Sequence, residues 1–224
     1  IDASIPSYNI KSSAIKKAIS KRTKAIMIAH ALGNPFDLEK IKKIADDNNL
    51  FLIEDCCDAL GSKYNNKNVE TFGDVATLSF YPAHHITTGE GGGVFSNSSK
   101  MKRILESIRD WGRDCWCDTG CDNTCKKRFD WNFKNMPRGY DHKYTYTNLG
   151  YNLKMSDMQA AVGLAQIKKT EEFHEKRKFN FNLLYKRLKK HNKIFILPKA
   201  SKNAQPSWFG FPLTIKKSVK FTRE

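Results

Sequence analysis

Lys24-Ala25-Ile26-Met27-Ile28-Ala29-His30 is an apolar run, and Leu50-Phe51-Leu52-Ile53-Glu54 is a second one. Between them Asp37 to Asn48 carries Leu38, Ile41, Ile44 and Ala45 at helical spacing, behind an aspartate suited to cap a helix. Both runs are short, continuous and bounded by polar or turn residues, so they predict buried strands. Strand, helix, strand in that order predicts a parallel pair in an α/β sheet. Functional groups are then expected at the C-terminal ends of the strands.

Outward from this unit the pattern continues. Lys63-Tyr64-Asn65-Asn66-Lys67 predicts a turn between short extended pieces. Val75 to Phe80 predicts a third strand, and Gly89, Gly91, Gly92 and Gly93 precede a fourth at Val94-Phe95. Ser99 to Arg109 reads as an amphipathic helix, while Trp111 to Asn148 is polar, aromatic and cysteine-rich with little periodicity, a long functional loop. Ser156 with Gln159 has the form of a capping box and opens a helical stretch to about Lys190, with Met158, Ile167, Phe181, Leu184 and Leu188 on its apolar stripe. A helix that long is expected to connect domains. Phe195 to Pro198 and Trp208 to Pro212 then look like the beginning of a smaller one.

The 224 residues are 40% hydrophobic and 12% aromatic, enough to bury a sizeable core. No apolar run reaches the roughly 18 residues of a bilayer span, and no basic head followed by an apolar stretch opens the chain. The expectation is a cytoplasmic protein. The first residue is not Met and the end carries no terminating feature, so both ends read as truncations. The net charge of +16 comes largely from lysine doublets such as Lys16-Lys17 and Lys189-Lys190 scattered over helical surfaces. A nucleic-acid binder would gather them on one face; scattered, they read as a lysine-rich solvated surface, whose excess charge would still attract an anionic substrate. Six cysteines without a secretory signal point to metal or catalysis rather than disulfides. Cys56 and Cys57 are adjacent, and Cys115, Cys117, Cys121 and Cys125 crowd together.

Two segments carry the chemistry. In Ile53-Glu54-Asp55-Cys56-Cys57-Asp58-Ala59-Leu60-Gly61 a carboxylate leaves a buried strand, placed either to cap a helix or to keep a pyridinium nitrogen protonated. The second is Gly73 to Gly93, containing Ser79-Phe80-Tyr81-Pro82-Ala83-His84-His85-Ile86-Thr87-Thr88-Gly89-Glu90-Gly91-Gly92. Its pattern resembles the Schiff-base segment of nucleotide-sugar aminotransferases, vitamin-B6 enzymes of the aspartate-aminotransferase fold. Thr23 to Ile26, His30 to Pro35, Glu54-Asp55 and Gly150-Tyr151-Asn152-Leu153-Lys154-Met155-Ser156-Asp157-Met158-Gln159 look like theirs too, in the same order. The fold this resemblance implies is α/β, a mostly parallel sheet with flanking helices. Residues 1–165 would be part of the large cofactor-binding domain, with 166–224 a connecting helix and the start of a small C-terminal domain.

One departure directs the functional reading. The position of the Schiff-base lysine, five residues after Ser79, is His84. That substitution resembles the sugar 3-dehydratases of 3,6-dideoxyhexose and lipopolysaccharide biosynthesis, which use pyridoxamine phosphate (PMP) in place of a lysine-bound pyridoxal phosphate (PLP). The resemblance makes His84 rather than His85 the base, Asp55 the pyridinium partner and Ser79 a phosphate donor. It makes Asn152 a phosphate contact reaching across a homodimer interface. Asp58 stands where relatives carry Gln or His near the ring, a departure that leaves its cofactor-binding role open. The cysteines resemble the iron–sulfur subclass, whose spacing falls on Cys57, Cys115, Cys117 and Cys125 and implies a [2Fe-2S] centre fed by a separate NAD(P)H-dependent iron–sulfur flavin reductase. A local zinc site from Cys115, Cys117, Cys121 and Cys125 stays open beside it. The expected reaction is C3 deoxygenation of a CDP-linked 4-keto-6-deoxyhexose. A sugar aminotransferase and a non-catalytic metal-binding module are the alternatives.

Overall fold

The computed structural model describes residues 2–117 and 120–221. In chain order its elements are α1 (Ser12–Ala18), β1 (Ala25–Ala29), α2 (Leu38–Asp47), β2 (Phe51–Asp55), β3 (Lys63–Tyr64), β4 (Lys67–Asn68), β5 (Val75–Ser79) and β6 (Gly92–Phe95). There follow α3 (Ser99–Arg109), α4 (Asp157–Ile167), α5 (Thr170–Leu188), β7 (Phe195–Ile196), β8 (Ala204–Gln205) and β9 (Thr214–Ile215). The chain divides into two compact units, Ile1–Phe95 with Asp157–Glu224, and Ser96–Ser156.

The first unit is built on a sheet of order β1-β2-β5-β6. β1 and β5 flank β2 in parallel, with Ala29 opposite Asp55 and Asp55 opposite Thr77; β6 closes the sheet antiparallel, with Ser79 opposite Gly92. The C-terminal ends of three parallel strands therefore deliver Ala29, Asp55 and Ser79 to one edge. α2 is capped by Asp37, whose carboxylate accepts the Lys40 N–H at 3.3 Å. It buries Leu38, Ile41, Ile44 and Ala45 against Ile26 and Leu52. Each buried Leu or Ile among them contributes on the order of 1.5–3 kcal/mol.

The prediction of buried strands needs correction. β1 and β2 alternate, with Ile26 and Leu52 inside but Met27 63% and Phe51 53% exposed. Among the described residues, helices cover one face of these strands only, and a period of two puts every second side chain on the other. The predicted turn is present: Asn65 and Asn66 both take positive φ (48° and 62°), the geometry of a two-residue turn between β3 and β4. The single long helix does not hold. It is interrupted at Lys168-Lys169, where the Lys169 N–H bonds back three residues to Gln166 and tightens the last turn of α4. α5 docks through Phe181, which stacks on Trp208 at 4.1 Å with the rings 1° from parallel. Met158 (80% exposed) and Ile167 (59%), expected on a core stripe, stand open among the described residues.

Among the described residues the second unit has one α-helix, α3, capped by Ser98 through the Met101 N–H at 3.3 Å, and a 3-10 turn at His142–Tyr144. The rest is loop, folded around His142, whose ring stacks on Trp131 at 4.5 Å and meets Trp116 edge-on at 5.4 Å. Gly112 takes φ 81°, and a Cβ there would collide with the Asn148 backbone, so the fold of this loop requires glycine at that turn.

Candidate active site

Asp55 ends β2 with its side chain on the face opposite Leu52 and Glu54. Its Oδ1 accepts the Cys57 N–H at 3.1 Å and the Thr77 hydroxyl at 3.4 Å. Among the described residues no hydrogen bond engages Oδ2, which leaves that oxygen for a cationic donor. Behind it lies a buried network. Glu54 takes the N–H groups of Phe72 (2.9 Å) and Gly73 (2.5 Å) on Oε1, and Nε2 of His30 at 3.2 Å on Oε2. His30 Nδ1 accepts from the Phe36 N–H at 3.4 Å, and the two rings stack at 4.3 Å. His30, Glu54 and Cys56 lie close enough together to ligate a metal. Both imidazole nitrogens and both carboxylate oxygens are already committed, so the cluster braces the strand ends that present Asp55.

The turn after β5 places the two adjacent histidines in different environments. His85 is buried, and its Nε2–H donates to the Ser207 carbonyl at 2.8 Å. Burial pushes its pKa down to about 4, so it stays neutral. His84 keeps 17% of its side chain exposed, lies against Phe209 at 5.3 Å, and sets Nδ1 3.3 Å from Asp58 Oδ1. Burial raises the Asp58 carboxyl above its usual range, and the facing His84 opposes that rise. Nδ1 forms no hydrogen bond at that separation, so the carboxylate and the ring face each other through proximity and charge. Ser79, at the end of β5, accepts the Tyr81 N–H on Oγ at 3.2 Å, leaving its hydroxyl proton for an anion.

The structure thus gathers Asp55, Cys57, Asp58, Ser79 and His84 on the strand ends of the first unit. Asn152, Cys115, Cys117 and Cys125 belong to the second unit. There Asn152 is exposed and forms a β-bridge with Asp110. Cys57 is half-buried with its thiol pushed up to about 11, chiefly by burial. Cys115, Cys117 and Cys125 line one cavity of ≈ 200 Å³. The Thr124 hydroxyl is the main cause holding Cys117 down to about 7, with contributions from Cys125 and Cys115. Burial raises Cys115. Arg113, Arg128, Lys143 and Lys154 line the same cavity with Asp110 and Asp122, and each cation is paired with an aspartate. Cys121 is exposed.

Two residues escaped the sequence reading. Arg177 on α5 is half-buried, reaches the carbonyls of Trp208 (3.5 Å) and Phe209 (3.4 Å), and is electrostatically coupled to Asp58. Its only sequence signal is a cation three residues after the buried His174. His142 lines the thiol cavity, and the sole hint was a histidine inside the aromatic loop.

The DegT/DnrJ/EryC1/StrS aminotransferase family model matches residues 1–224. Over 223 residues the chain is 58% identical to the lipopolysaccharide biosynthesis protein RfbH of Salmonella typhimurium, with all of this chain aligned to 51% of that protein. It is 51% identical over 223 residues to a dTDP-4-dehydro-2,6-dideoxy-D-glucose 3-dehydratase of Saccharopolyspora spinosa, covering 48% of it. Its structure superposes with TM-score 0.82 on E. coli GDP-4-keto-6-deoxy-D-mannose-3-dehydratase with bound hydrated PLP, at 28% identity over all of this chain and 55% of that one. The chain therefore spans about half the length of the relatives it matches.

Proposed function

The chain belongs to the DegT/DnrJ/EryC1/StrS aminotransferase family and has its α/β, mainly parallel fold; we propose that it is part of a PMP-dependent 3-dehydratase acting on a nucleotide-linked 4-keto-6-deoxyhexose. The observation that carries this reading is His84, an imidazole paired with Asp58 at the position where aminotransferases of the family need an amine. The substrate is CDP-4-keto-6-deoxy-D-glucose, on a route to lipopolysaccharide dideoxysugars. Two of the relatives above are nucleotide-sugar 3-dehydratases by name, which supports the reaction class. Residues 1–165 supply part of the large cofactor-binding domain and 166–224 lead into the smaller one.

Bound PMP supplies an amine to condense with the sugar's 4-keto carbon and an electron-poor ring to stabilise charge. Asp55 keeps the ring nitrogen protonated through Oδ2. Ser79 donates its hydroxyl to the phosphate, and Asn152 reaches a phosphate across a homodimer interface. His84, beside Asp58, would be the base that accepts a proton at the C4′ carbon of the bound cofactor. Replacing C3–OH by C3–H consumes two electrons and two protons and releases water. Cys57, Cys115, Cys117 and Cys125 hold a [2Fe-2S] centre, whose chemistry is one-electron transfer, and an NAD(P)H-dependent iron–sulfur flavin reductase is the source. The sharing of one cavity by three of these thiols supports that set.

Borohydride reduction of the full-length protein loaded with PLP tests the reading. No phosphopyridoxyl-lysine peptide is expected from the wild type, whereas His84→Lys should be labelled and lose dehydration by at least ~100-fold. A labelled lysine in the wild type would establish the aminotransferase alternative instead.

A further inference from the structure

We propose that Arg177 is a positioning residue for His84: its guanidinium fastens the backbone of Trp208 and Phe209 and so holds the Phe209 ring against the imidazole. The proposal rests on the reading of His84 as the base.

Residues 207–209 form a strap laid over the strand-end turns of the first unit. The Ser207 N–H donates to Ser62 Oγ at 2.8 Å, the Ser207 carbonyl accepts the His85 Nε2–H at 2.8 Å, and the Phe209 N–H donates to the Leu32 carbonyl at 2.9 Å. Gly33 takes φ 82°, and a Cβ there would stand 2.6 Å from the Ser207 carbonyl oxygen and 2.7 Å from that of Asp58. Strap and Asp58 turn therefore meet over bare backbone, at a position that requires glycine. These ties leave the carbonyls of Trp208 and Phe209. Among the described residues only Arg177 donates to them, from Nη1 at 3.5 and 3.4 Å. Both bonds are long, but the donor is ionised and spans two successive peptides.

α5 carries this arginine on one face with His174 and Phe181, at spacings of three and four residues. The His174 ring lies over Gly61, and Phe181 stacks on Trp208 at 4.1 Å. Among the described residues Arg177 forms no ion pair; burial disfavours its charge, and Asp58 favours it from a distance. A half-buried cation without a partner is costly, and a position needed for packing alone would be filled more cheaply by a neutral side chain. The next link is the ring. Phe209 lies 5.3 Å from His84 and 6.3 Å from His85, and Tyr81 meets His84 edge-on at 6.3 Å. His84 Nδ1 is buried without a hydrogen bond, so packed rings, rather than a bonded partner on that nitrogen, orient the imidazole. The base then depends on the wall beside it, and that wall depends on Arg177.

The test compares Arg177→Ala and Arg177→Lys with the wild type in the full-length enzyme loaded with PMP. Amide hydrogen exchange over residues 207–211, read by mass spectrometry, reports the strap, because the Phe209 N–H exchanges only when its bond to Leu32 opens. Washout of deuterium from PMP labelled at C4′, with the nucleotide 4-keto sugar present, reports the base. Arg177→Ala should exchange the strap at least ~10-fold faster while β2 keeps its wild-type rate. Its washout per bound cofactor at saturating sugar should fall roughly 10-fold, with the KM for the sugar within about twofold of wild type. Arg177→Lys keeps the charge without the planar fork, so it should fold and lie between the two in both readouts. Wild-type strap exchange in Arg177→Ala, or faster exchange with unchanged washout, would overturn the assignment. A raised KM with an unchanged maximal rate would overturn it too, making Arg177 a substrate contact. If His84→Asn washes out as fast as the wild type, the base reading fails, and strap exchange alone still decides whether Arg177 is the anchor.

Discussion

The strand ends of the first unit and the loop of the second both present candidate chemistry, but they hold their side chains by different means. In the first unit the sheet register sets the placement. Asp55 stands opposite Thr77, Ser79 stands opposite Gly92, and the buried His30–Glu54 pair ties the segment at Phe72-Gly73 to the strand ends. Among the described residues the second unit has no sheet beyond the isolated bridges Asp110–Asn152 and Arg113–Tyr146, so side-chain contacts join scattered backbone bonds in placing its groups. Stacked rings around His142, the fork of Arg128 on Asp141 (2.8 and 2.7 Å) and Lys143 on Asp122 (2.7 Å) hold the loop. Positions fixed by backbone hydrogen bonds leave side chains free for catalysis. Positions fixed by side chains consume most of them, so the few that remain unpaired, His142 Nδ1 among them, are informative.

If that contrast is right, breaking the brace of the first unit should cost most. Glu54→Ala removes one partner of a fully buried pair and strands two N–H groups, so it should destabilise by about 3–5 kcal/mol in denaturant titration. A loss under ~1 kcal/mol would mean the strand ends are held some other way.

The acid response of the first unit comes next. His85 is held neutral with its pKa depressed to about 4, below the ordinary 6.5. The unfolded chain therefore binds a proton that the fold refuses between these values. This contribution is complete above pH 6.5 and is lost as pH falls toward 4, worth about 3 kcal/mol across the window. His85→Gln keeps a donor for the Ser207 carbonyl but cannot titrate, and should flatten the acid limb of thermal stability against pH. An unchanged limb would show that other groups set it.

The smallest effect is expected in the second unit. Arg128→Lys keeps the charge but loses the fork on Asp141. Because the pair is solvent-accessible, the change in melting temperature should be slight and should shrink further in high salt. A large, salt-independent loss would mean that the loop depends on this pair as the first unit depends on Glu54.

The same contrast explains what could be read from the sequence. α2 and α3 were legible nearly to their ends, because apolar spacing and, for α2, the cap Asp37 are local signals. The β3–β4 turn was legible because adjacent asparagines tolerate positive φ. Half-exposure of β1 was not, since an apolar run does not say which of its faces is covered. The break at Lys168-Lys169 carries no proline or glycine to mark it. Asp55, Asp58, Ser79 and His84 were named from one contiguous motif each. Pairing of Asp58 with His84 needs 26 residues of chain to fold back, and Arg177 comes from α5, so neither relation has a local signature. His142 was overlooked because its meaning lies in Asp114 and in the rings around it, 11 to 28 residues away.

The central claim is that His84 moves the proton. The direct measurement is loss of deuterium from PMP labelled at C4′, followed by mass spectrometry in the full-length enzyme with and without the nucleotide 4-keto sugar. The account predicts sugar-dependent washout in the wild type and a fall of at least ~100-fold in His84→Asn, with cofactor still bound. Washout in His84→Asn at the wild-type rate would contradict it.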